Sequence, residues 1–181
     1  MMIKMKRSKR LSNLDFRIMS FFFKIRDKLN PPKVKIKNLD LKSGYHVLDY
    51  GAGTGSYTIV VAEIVGPKGK VYAADVHPLS IKKIKKRSLK NGLSNIETIL
   101  TDCDTRLINN SIDMIICFDT YHAINDKNCI LKEFNRILKP NAILALSDHH
   151  LKENDLIIEI TEKNLFTFHE KKGNIILFKK I

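Results

Sequence analysis

The chain has 181 residues, 44% of them apolar and 28% charged, which is enough to close a core and excludes wholesale disorder. No apolar run approaches the ~18 residues of a membrane-spanning helix, and the charge-interrupted run at 11–29 does not resemble a signal peptide. The net charge is +13, and residues 1–42 contribute thirteen Lys or Arg against three Asp. A solvated basic face explains this segment without any ligand, and RNA or another anionic surface is the alternative partner that it could attract.

Residues 11–29 place apolar side chains at steps of three and four, which predicts an amphipathic helix that Pro31 and Pro32 end. Its polar face is basic, so the apolar stripe is expected to cover the core, a ligand pocket or a membrane surface. We interpret residues 1–42 as a basic helical extension that acts as a lid, and residues 43–181 as the main domain. The stripe consists of Leu11, Leu14, Ile18, Phe21, Phe22, Ile25 and Leu29.

After Gly44, short apolar runs typical of strands alternate with longer helical patterns. Strands are predicted at 45–50, 70–75, 96–101, 112–118 and 142–147, and helices at 57–65, 78–91, 127–138 and 153–161. This alternation favours right-handed crossovers and a mostly parallel sheet, so the fold class is α/β. The last two strands, 165–170 and 174–179, are too close for a crossover helix and predict an antiparallel C-terminal hairpin.

A glycine-rich turn, Gly51–Gly55, follows the first strand and leads directly into a helix. Glycines there let the backbone turn tightly and approach a ligand. Ligands of parallel sheets bind at the carboxyl ends of the strands, where this sequence has Asp49, Asp75 and Asp102. The three carboxylates suit a ligand with an ammonium group, a ribose and an amino-bearing base. A dinucleotide would share the glycines and Asp75, and the acids could also cap helices or turns.

The stretch Val47–Thr58 resembles motif I of the class I S-adenosylmethionine-dependent methyltransferases. The likeness continues through Asp75, Asp102, Ser111–Ile116 and Arg136–Pro140, and covers roughly residues 40–150. It implies a Rossmann-like three-layer sandwich, a seven-stranded sheet with the order 3-2-1-4-5-7-6 and its antiparallel strand in the C-terminal hairpin. It also implies S-adenosylmethionine as the cofactor.

The resemblance gives roles to the residues at the strand ends. Asp49 is expected to reach the methionine amino group, Asp75 the ribose hydroxyls and Asp102 the adenine amino group, with Cys103 packed on the ring. The residues expected to bind the cofactor are Asp49, Gly51, Gly53, Gly55, Asp75, Val76, Asp102, Cys103 and Asp119.

The implied reaction is transfer of the sulfonium methyl group to a second substrate, assisted by a general base if the acceptor arrives protonated. The candidates follow the fourth and fifth strands, and histidine suits the task near neutral pH. Asp148–His150 could be a base, a pair of metal ligands or a polar turn, and we predict no metal site because further ligands are lacking. The candidates are Asp119, Tyr121, His122, Asp148, His149 and His150.

The three cysteines, Cys103, Cys117 and Cys129, are an odd number without a CxxC pair. This pattern argues against disulfides and a zinc knuckle, and we therefore expect a cytoplasmic protein with reduced thiols. Cys103 and Cys117 lie near strand ends at the same rim, which leaves a thiol-seeking acceptor such as arsenite open.

The sequence thus predicts a methyltransferase that uses S-adenosylmethionine and a small-molecule acceptor. Two alternatives remain: a methyltransferase that acts on RNA or protein through the basic segment, and a cofactor-binding module without activity.

Overall fold

A computed structural model describes residues 12–181, whose seven strands form one sheet. The strand order is β3-β2-β1-β4-β5-β7-β6, with β1 to β5 parallel and β7 antiparallel to both of its neighbours, as expected. The strands are β1 (His46–Tyr50), β2 (Lys70–Asp75), β3 (Ile96–Leu100), β4 (Ile112–Phe118), β5 (Leu138–Ser147), β6 (Phe166–Lys172) and β7 (Ile175–Lys180).

Among residues 12–181, six helices surround the sheet, and a single 3₁₀ turn, Tyr121–Ala123, follows β4. The short helix α2 and the 3₁₀ turn are absent from the sequence prediction, since three to five residues carry no readable periodicity. The helices are α1 (Asn13–Leu29), α2 (Pro32–Ile36), α3 (Ser56–Val65), α4 (Pro78–Lys90), α5 (Lys127–Ile137) and α6 (Glu153–Thr161).

The predicted three-layer α/β sandwich is confirmed by two apolar clusters on opposite faces of the sheet. Helices α2 and α3 cover one face, where Val47 and Val71 point, and α5 and α6 cover the other, where Leu48 lies. Strand β1 is therefore buried on both faces, as in parallel sheets generally. It pairs with β2 on one side and β4 on the other, so the chain order reverses there and opens a crevice at its carboxyl end.

Helix α1 is present where the sequence predicts it, but its predicted apolar stripe faces solvent. Phe21 and Phe22 are exposed, while Phe16 and Ser20 on the opposite side are buried. The face of α1 that packs on the domain is therefore the one opposite the predicted stripe, and the stripe does not cover the domain core. Residues 1–11, and with them the predicted stripe residue Leu11 and the start of the basic extension, lie outside the described residues.

The expectation of reduced thiols at all three cysteines is wrong for two of them. Cys103 and Cys129 form a disulfide, because the fold brings the loop after β3 against the first turn of α5. Cys117 is a free thiol buried in the sheet, and burial raises its pKa well above the usual value. Within residues 12–181, no helix is both long and apolar enough to cross a bilayer.

Candidate active site

Three adjoining cavities lie along the carboxyl ends of β1, β2 and β3. The central cavity holds about 370 Å³ and is walled by the glycine turn, Asp75, His122 and helix α1. The glycine cavity, about 30 Å³, lies beside it over Asp49. The side cavity, about 960 Å³, extends past Val76 along the loop after β3. Together they form one elongated crevice of the kind that binds an extended ligand.

The glycine turn is held in a backbone shape that other residues adopt poorly. Gly51 has a φ of +74°, and a side-chain carbon there would lie 2.2 Å from the hydroxyl oxygen of Thr120. Both the positive φ and the contact with Thr120 therefore require glycine at this position. Gly53 faces the ring of Phe23 in the crevice, whereas Gly55 is the N-cap residue of α3 and packs on Ile84. Of the three predicted cofactor glycines, Gly51 and Gly53 line the cavities.

Asp49 is a buried acid at the end of β1, only 3% exposed. Its Oδ2 accepts a hydrogen bond of 2.5 Å from the Thr58 hydroxyl. Burial raises the pKa of Asp49 to about 7, with a further contribution from the charge of Asp75 and an opposing one from the Thr58 hydrogen bond. Asp49 also lines the glycine cavity, so a cation there would meet a carboxyl group that ionises near neutral pH.

Asp75 ties two loops together at the end of β2. One carboxylate oxygen accepts from the backbone N–H of Gly53 and the other from that of His77, both at 2.8 Å. Each oxygen retains lone pairs, and the carboxylate lines the central cavity. The neighbouring Val76 forms the boundary between the central and side cavities.

Asp102 and Cys103 lie in the side cavity, after β3. The hydroxyl of Tyr50 donates to the backbone carbonyl of Asp102 at 2.9 Å, which fixes the loop to the end of β1. Cys103 lines the cavity as half of the disulfide with Cys129, not as a free thiol. With Cys117 buried as well, the rim offers no pair of thiols to an acceptor such as arsenite.

His122 and Asp148 form a dyad at the edge of the central cavity. Nδ1 of His122 lies 2.9 and 3.0 Å from the two carboxylate oxygens, and the backbone N–H groups of His122 and His150 donate to the same carboxylate. Burial works to raise the pKa of Asp148, but these hydrogen bonds outweigh it and lower the pKa below the usual value. An ionised Asp148 holds the Nδ1 proton of His122 and leaves Nε2 as the nitrogen that can accept a proton.

Of the other candidate acids and bases, Asp119 reaches the central cavity and the two following histidines do not. Asp119 lines the central cavity and takes a hydrogen bond of 2.9 Å from Nδ1 of His149. Lys35 approaches its other oxygen at 3.9 Å, and burial lowers the pKa of Lys35 although Asp119 opposes this. The rings of His149 and His150 lie on the exposed side with centroids 4.0 Å apart and planes tilted by 40°, and neither residue lines the three cavities.

Tyr121, also a predicted candidate, is fully buried in the apolar cluster beneath the sheet and does not face the cavity. Across the part of the chain that the structure describes, no three His, Cys, Asp or Glu side chains are placed to hold a metal ion.

Helix α1 supplies residues that the sequence did not identify. Phe16, Met19 and Phe23 form one wall of the central cavity, and the ring of Phe16 stacks on His77 with centroids 4.4 Å apart and planes 13° from parallel. Asp27 accepts a hydrogen bond from the Ser56 hydroxyl at the start of α3. These inner-face residues follow no distinctive sequence pattern, because the stronger apolar stripe of α1 lies on its other side.

The sequence of residues 41–177 matches the protein family described as the methyltransferase domain, a match across more than half of the chain. The chain belongs to this methyltransferase family. Its resemblance to S-adenosylmethionine-dependent methyltransferases and the assignment of that cofactor are thereby confirmed.

Among curated relatives, this methyltransferase domain is 28% identical over 138 residues to the ubiquinone/menaquinone biosynthesis C-methyltransferase UbiE of Ectopseudomonas mendocina. It is 27% identical over 136 residues to the demethylmenaquinone methyltransferase of Geobacillus stearothermophilus. Both alignments cover 75% of this chain and 54% and 53% of the relatives, so the chain spans about half the length of these relatives.

The solved structure of an S-adenosylmethionine-dependent methyltransferase from Aquifex aeolicus superposes on this methyltransferase domain with a TM-score of 0.79. The two chains are 25% identical, and the superposition covers 94% of this chain and 97% of the other. This likeness confirms the Rossmann-like fold.

The crevice of the methyltransferase domain fits S-adenosylmethionine on its own chemistry. Asp49, which lines the glycine cavity, forms no ion pair with a described residue, and burial raises its pKa. Asp75 offers carboxylate lone pairs to the central cavity, and Asp102 stands at the side cavity. The three cavities thus succeed one another in the order in which the cofactor carries its ammonium, ribose and adenine.

Proposed function

We propose that the chain transfers a methyl group from S-adenosylmethionine to a small apolar acceptor of the same chemical class as the demethylmenaquinone ring. The observation that carries this proposal is the central cavity, which has an apolar wall of Phe16, Met19 and Phe23 and the His122–Asp148 dyad at its edge. In this proposal the cofactor's ribose occupies the Asp75 side of the cavity, and the side next to the dyad binds a flat apolar ring and offers it one proton acceptor. The names of the two curated relatives support the same class of acceptor.

In this proposal the residues of the strand ends hold the cofactor. Asp49 pairs with the methionine ammonium, Asp75 accepts from the ribose hydroxyls, and Asp102 accepts from the adenine amino group beside Val76. Gly51 and Gly53 form the floor between these ends. The cofactor supplies a methyl group on a sulfonium, which is already activated toward nucleophiles, so the protein contributes mainly alignment and exclusion of water.

His122 removes the proton that the acceptor loses. A ring carbon of a reduced quinone that received the methyl group would have to lose its hydrogen as a proton for the ring to become aromatic again. Nε2 of His122 accepts that proton, and Asp148 stabilises the resulting imidazolium through Nδ1. Asp119 and His149 belong to the same rim and orient the loop after β4.

The test replaces His122 by alanine and Asp148 by asparagine in the full chain. We expect the turnover of a reduced demethylmenaquinone to fall by about 10²–10⁴-fold in His122→Ala, since a positioned general base contributes that much. Mass spectrometry measures the methylated ring, and calorimetry checks that both variants still bind S-adenosylmethionine. His169→Ala, an exposed histidine on β6, is the matched control.

Two results would contradict the proposal. Unchanged turnover in His122→Ala would remove the dyad from the chemistry. Tight binding of S-adenosylmethionine without methylation of any reduced quinone would reject the acceptor and favour a cofactor-binding module without activity.

A further inference from the structure

The outer face of α1 carries a continuous apolar stripe that the domain does not use. Its members are 41% to 75% exposed, a large apolar surface for one helix. We define this outer stripe by its residues Leu14, Ile18, Phe21, Phe22, Ile25 and Leu29.

The domain's own packing explains the other face of α1 and leaves the outer stripe unexplained. Phe16 and Ser20 are buried, and Met19 and Phe23 line the central cavity. At about 100° per residue, these positions lie opposite the outer stripe. Helix α1 therefore has two apolar faces, one directed to the cavity and one directed away from the protein.

Positively charged side chains next to the outer stripe indicate what kind of surface the stripe contacts. Arg17, Lys24 and Lys28 are exposed and lie along one flank of the stripe. The two acids of α1 are engaged locally, Asp15 at the helix cap and Asp27 with Arg26. Residues 1–11, directly before the helix, contain five Lys or Arg and no acid. An apolar face bordered by cations is complementary to a bilayer surface with anionic headgroups.

We propose that the outer stripe docks the chain on a membrane that contains anionic lipids. Phe21 and Phe22 enter the boundary between headgroups and acyl chains, and Lys24 and Lys28 pair with lipid phosphates at the flank. The helix lies in the plane of the interface and does not cross the bilayer. The docking also holds the wall of the central cavity one helix diameter, about 10 Å, from the lipid. If the acceptor is apolar, as the proposed function has it, it dissolves in that lipid.

The test is sedimentation of the full chain with vesicles, without cofactor or acceptor. Vesicles of pure phosphatidylcholine are compared with vesicles of phosphatidylcholine and phosphatidylglycerol in equal amounts. We expect binding to the anionic vesicles to exceed binding to the neutral ones, and to weaken at least about tenfold in the double variant Phe21→Ala/Phe22→Ala. The control variant Leu89→Ala changes an even more exposed apolar residue, on α4, and is expected to bind like the wild type.

A second pair of variants tests the charged flank. Lys24→Glu/Lys28→Glu is expected to abolish the preference for anionic vesicles. Lys82→Glu/Lys85→Glu makes the same change of charge in the exposed basic cluster of α4 and is expected to retain the preference. Thermal unfolding and binding of S-adenosylmethionine verify that all four variants are folded.

Several outcomes would overturn the docking proposal. One is no binding of the wild type to either vesicle, and another is equal loss in both lysine pairs, which would indicate a general effect of net charge. A dimer that light scattering detects in the wild type and not in Phe21→Ala/Phe22→Ala would assign the stripe to a second copy. Competition of RNA for the vesicle-bound chain at equal affinity would assign the flank to nucleic acid. None of these results bears on methyl transfer, which is measured separately.

Discussion

The acid at the end of β1 shows how one buried residue links stability to ligand chemistry. Asp49 has no cation beside it among the described residues, and burial raises its pKa to about 7 against 3.8 for an ordinary aspartate. The folded chain thus retains a proton that the unfolded chain has already lost. A buried carboxyl group of this kind can bind a cationic partner, but it lowers the free energy of unfolding when no such partner is bound.

This imbalance predicts how the free energy of unfolding depends on pH. Between about pH 4 and about pH 7 the native state binds more protons at Asp49 than the unfolded state, so stability falls as the pH rises through this window. Asp49→Asn removes the titrating group and should flatten this part of the profile. Urea unfolding at several pH values measures it, with Asp155→Asn on the exposed start of α6 as control. An identical slope in wild type and Asp49→Asn would show that other groups dominate.

The sequence alone predicts site residues where the same type of residue, an aspartate, recurs at the carboxyl ends of successive strands. The positions of Asp49, Asp75 and Asp102 follow from the strand pattern, since parallel strands end at one edge. The reason for Gly51 does not, because its neighbour Thr120 lies 69 residues further along the chain. The pairing of His122 with Asp148 likewise depends on two loops that only the folded sheet brings together.

At the level of elements, most of what the sequence did not predict concerns α1. The pattern correctly predicts an amphipathic helix, yet the strongest apolar stripe is not the face that packs. Periodicity reports that a helix has an apolar side and does not report which side the protein covers. The short α2 and the 3₁₀ turn that carries His122 leave no periodic signal at all.

The inner face of α1 provides a test of the prediction that this helix acts as a lid. Phe16→Ala removes the ring stacked on His77 and opens the central cavity, so S-adenosylmethionine should dissociate about tenfold faster. Phe22→Ala, on the outer face of the same helix, is the matched control and should leave the rate unchanged in the absence of lipid. Stopped-flow displacement measures both rates. Equal rates in Phe16→Ala and wild type would mean that α1 does not close over the cofactor.

At the scale of the whole molecule, the alternation of strands and helices predicts the fold class, and the family resemblance supplies the strand order. Neither the alternation nor the family resemblance predicts the disulfide between Cys103 and Cys129. An odd number of cysteines argues against pairing only while their positions in space are unknown, and these two lie 26 residues apart on different elements. Cytoplasmic location remains a prediction, and a disulfide is uncommon in that compartment.

The disulfide should stabilise the chain without determining its fold. Closing a loop of this length is worth roughly 2–4 kcal/mol, so Cys129→Ser should lower the free energy of unfolding by about that amount. Denaturant unfolding measures the change, and treatment with reductant should reproduce it in the wild type. In Cys103→Ser/Cys129→Ser the reductant should have no further effect. A wild type insensitive to reductant would show that the two thiols are not joined in solution.

Helix α1 is one stiff element with the cavity on one side and the proposed lipid surface on the other. Anything that shifts the helix against the domain is felt at both faces, so the two binding equilibria are thermodynamically linked. If vesicles change the affinity for S-adenosylmethionine by some factor, then S-adenosylmethionine must change the affinity for vesicles by the same factor. If closure tightens both, a loaded chain stays at the bilayer longer than an empty one, and the supply of methyl donor sets how long the enzyme resides where the proposed acceptor dissolves.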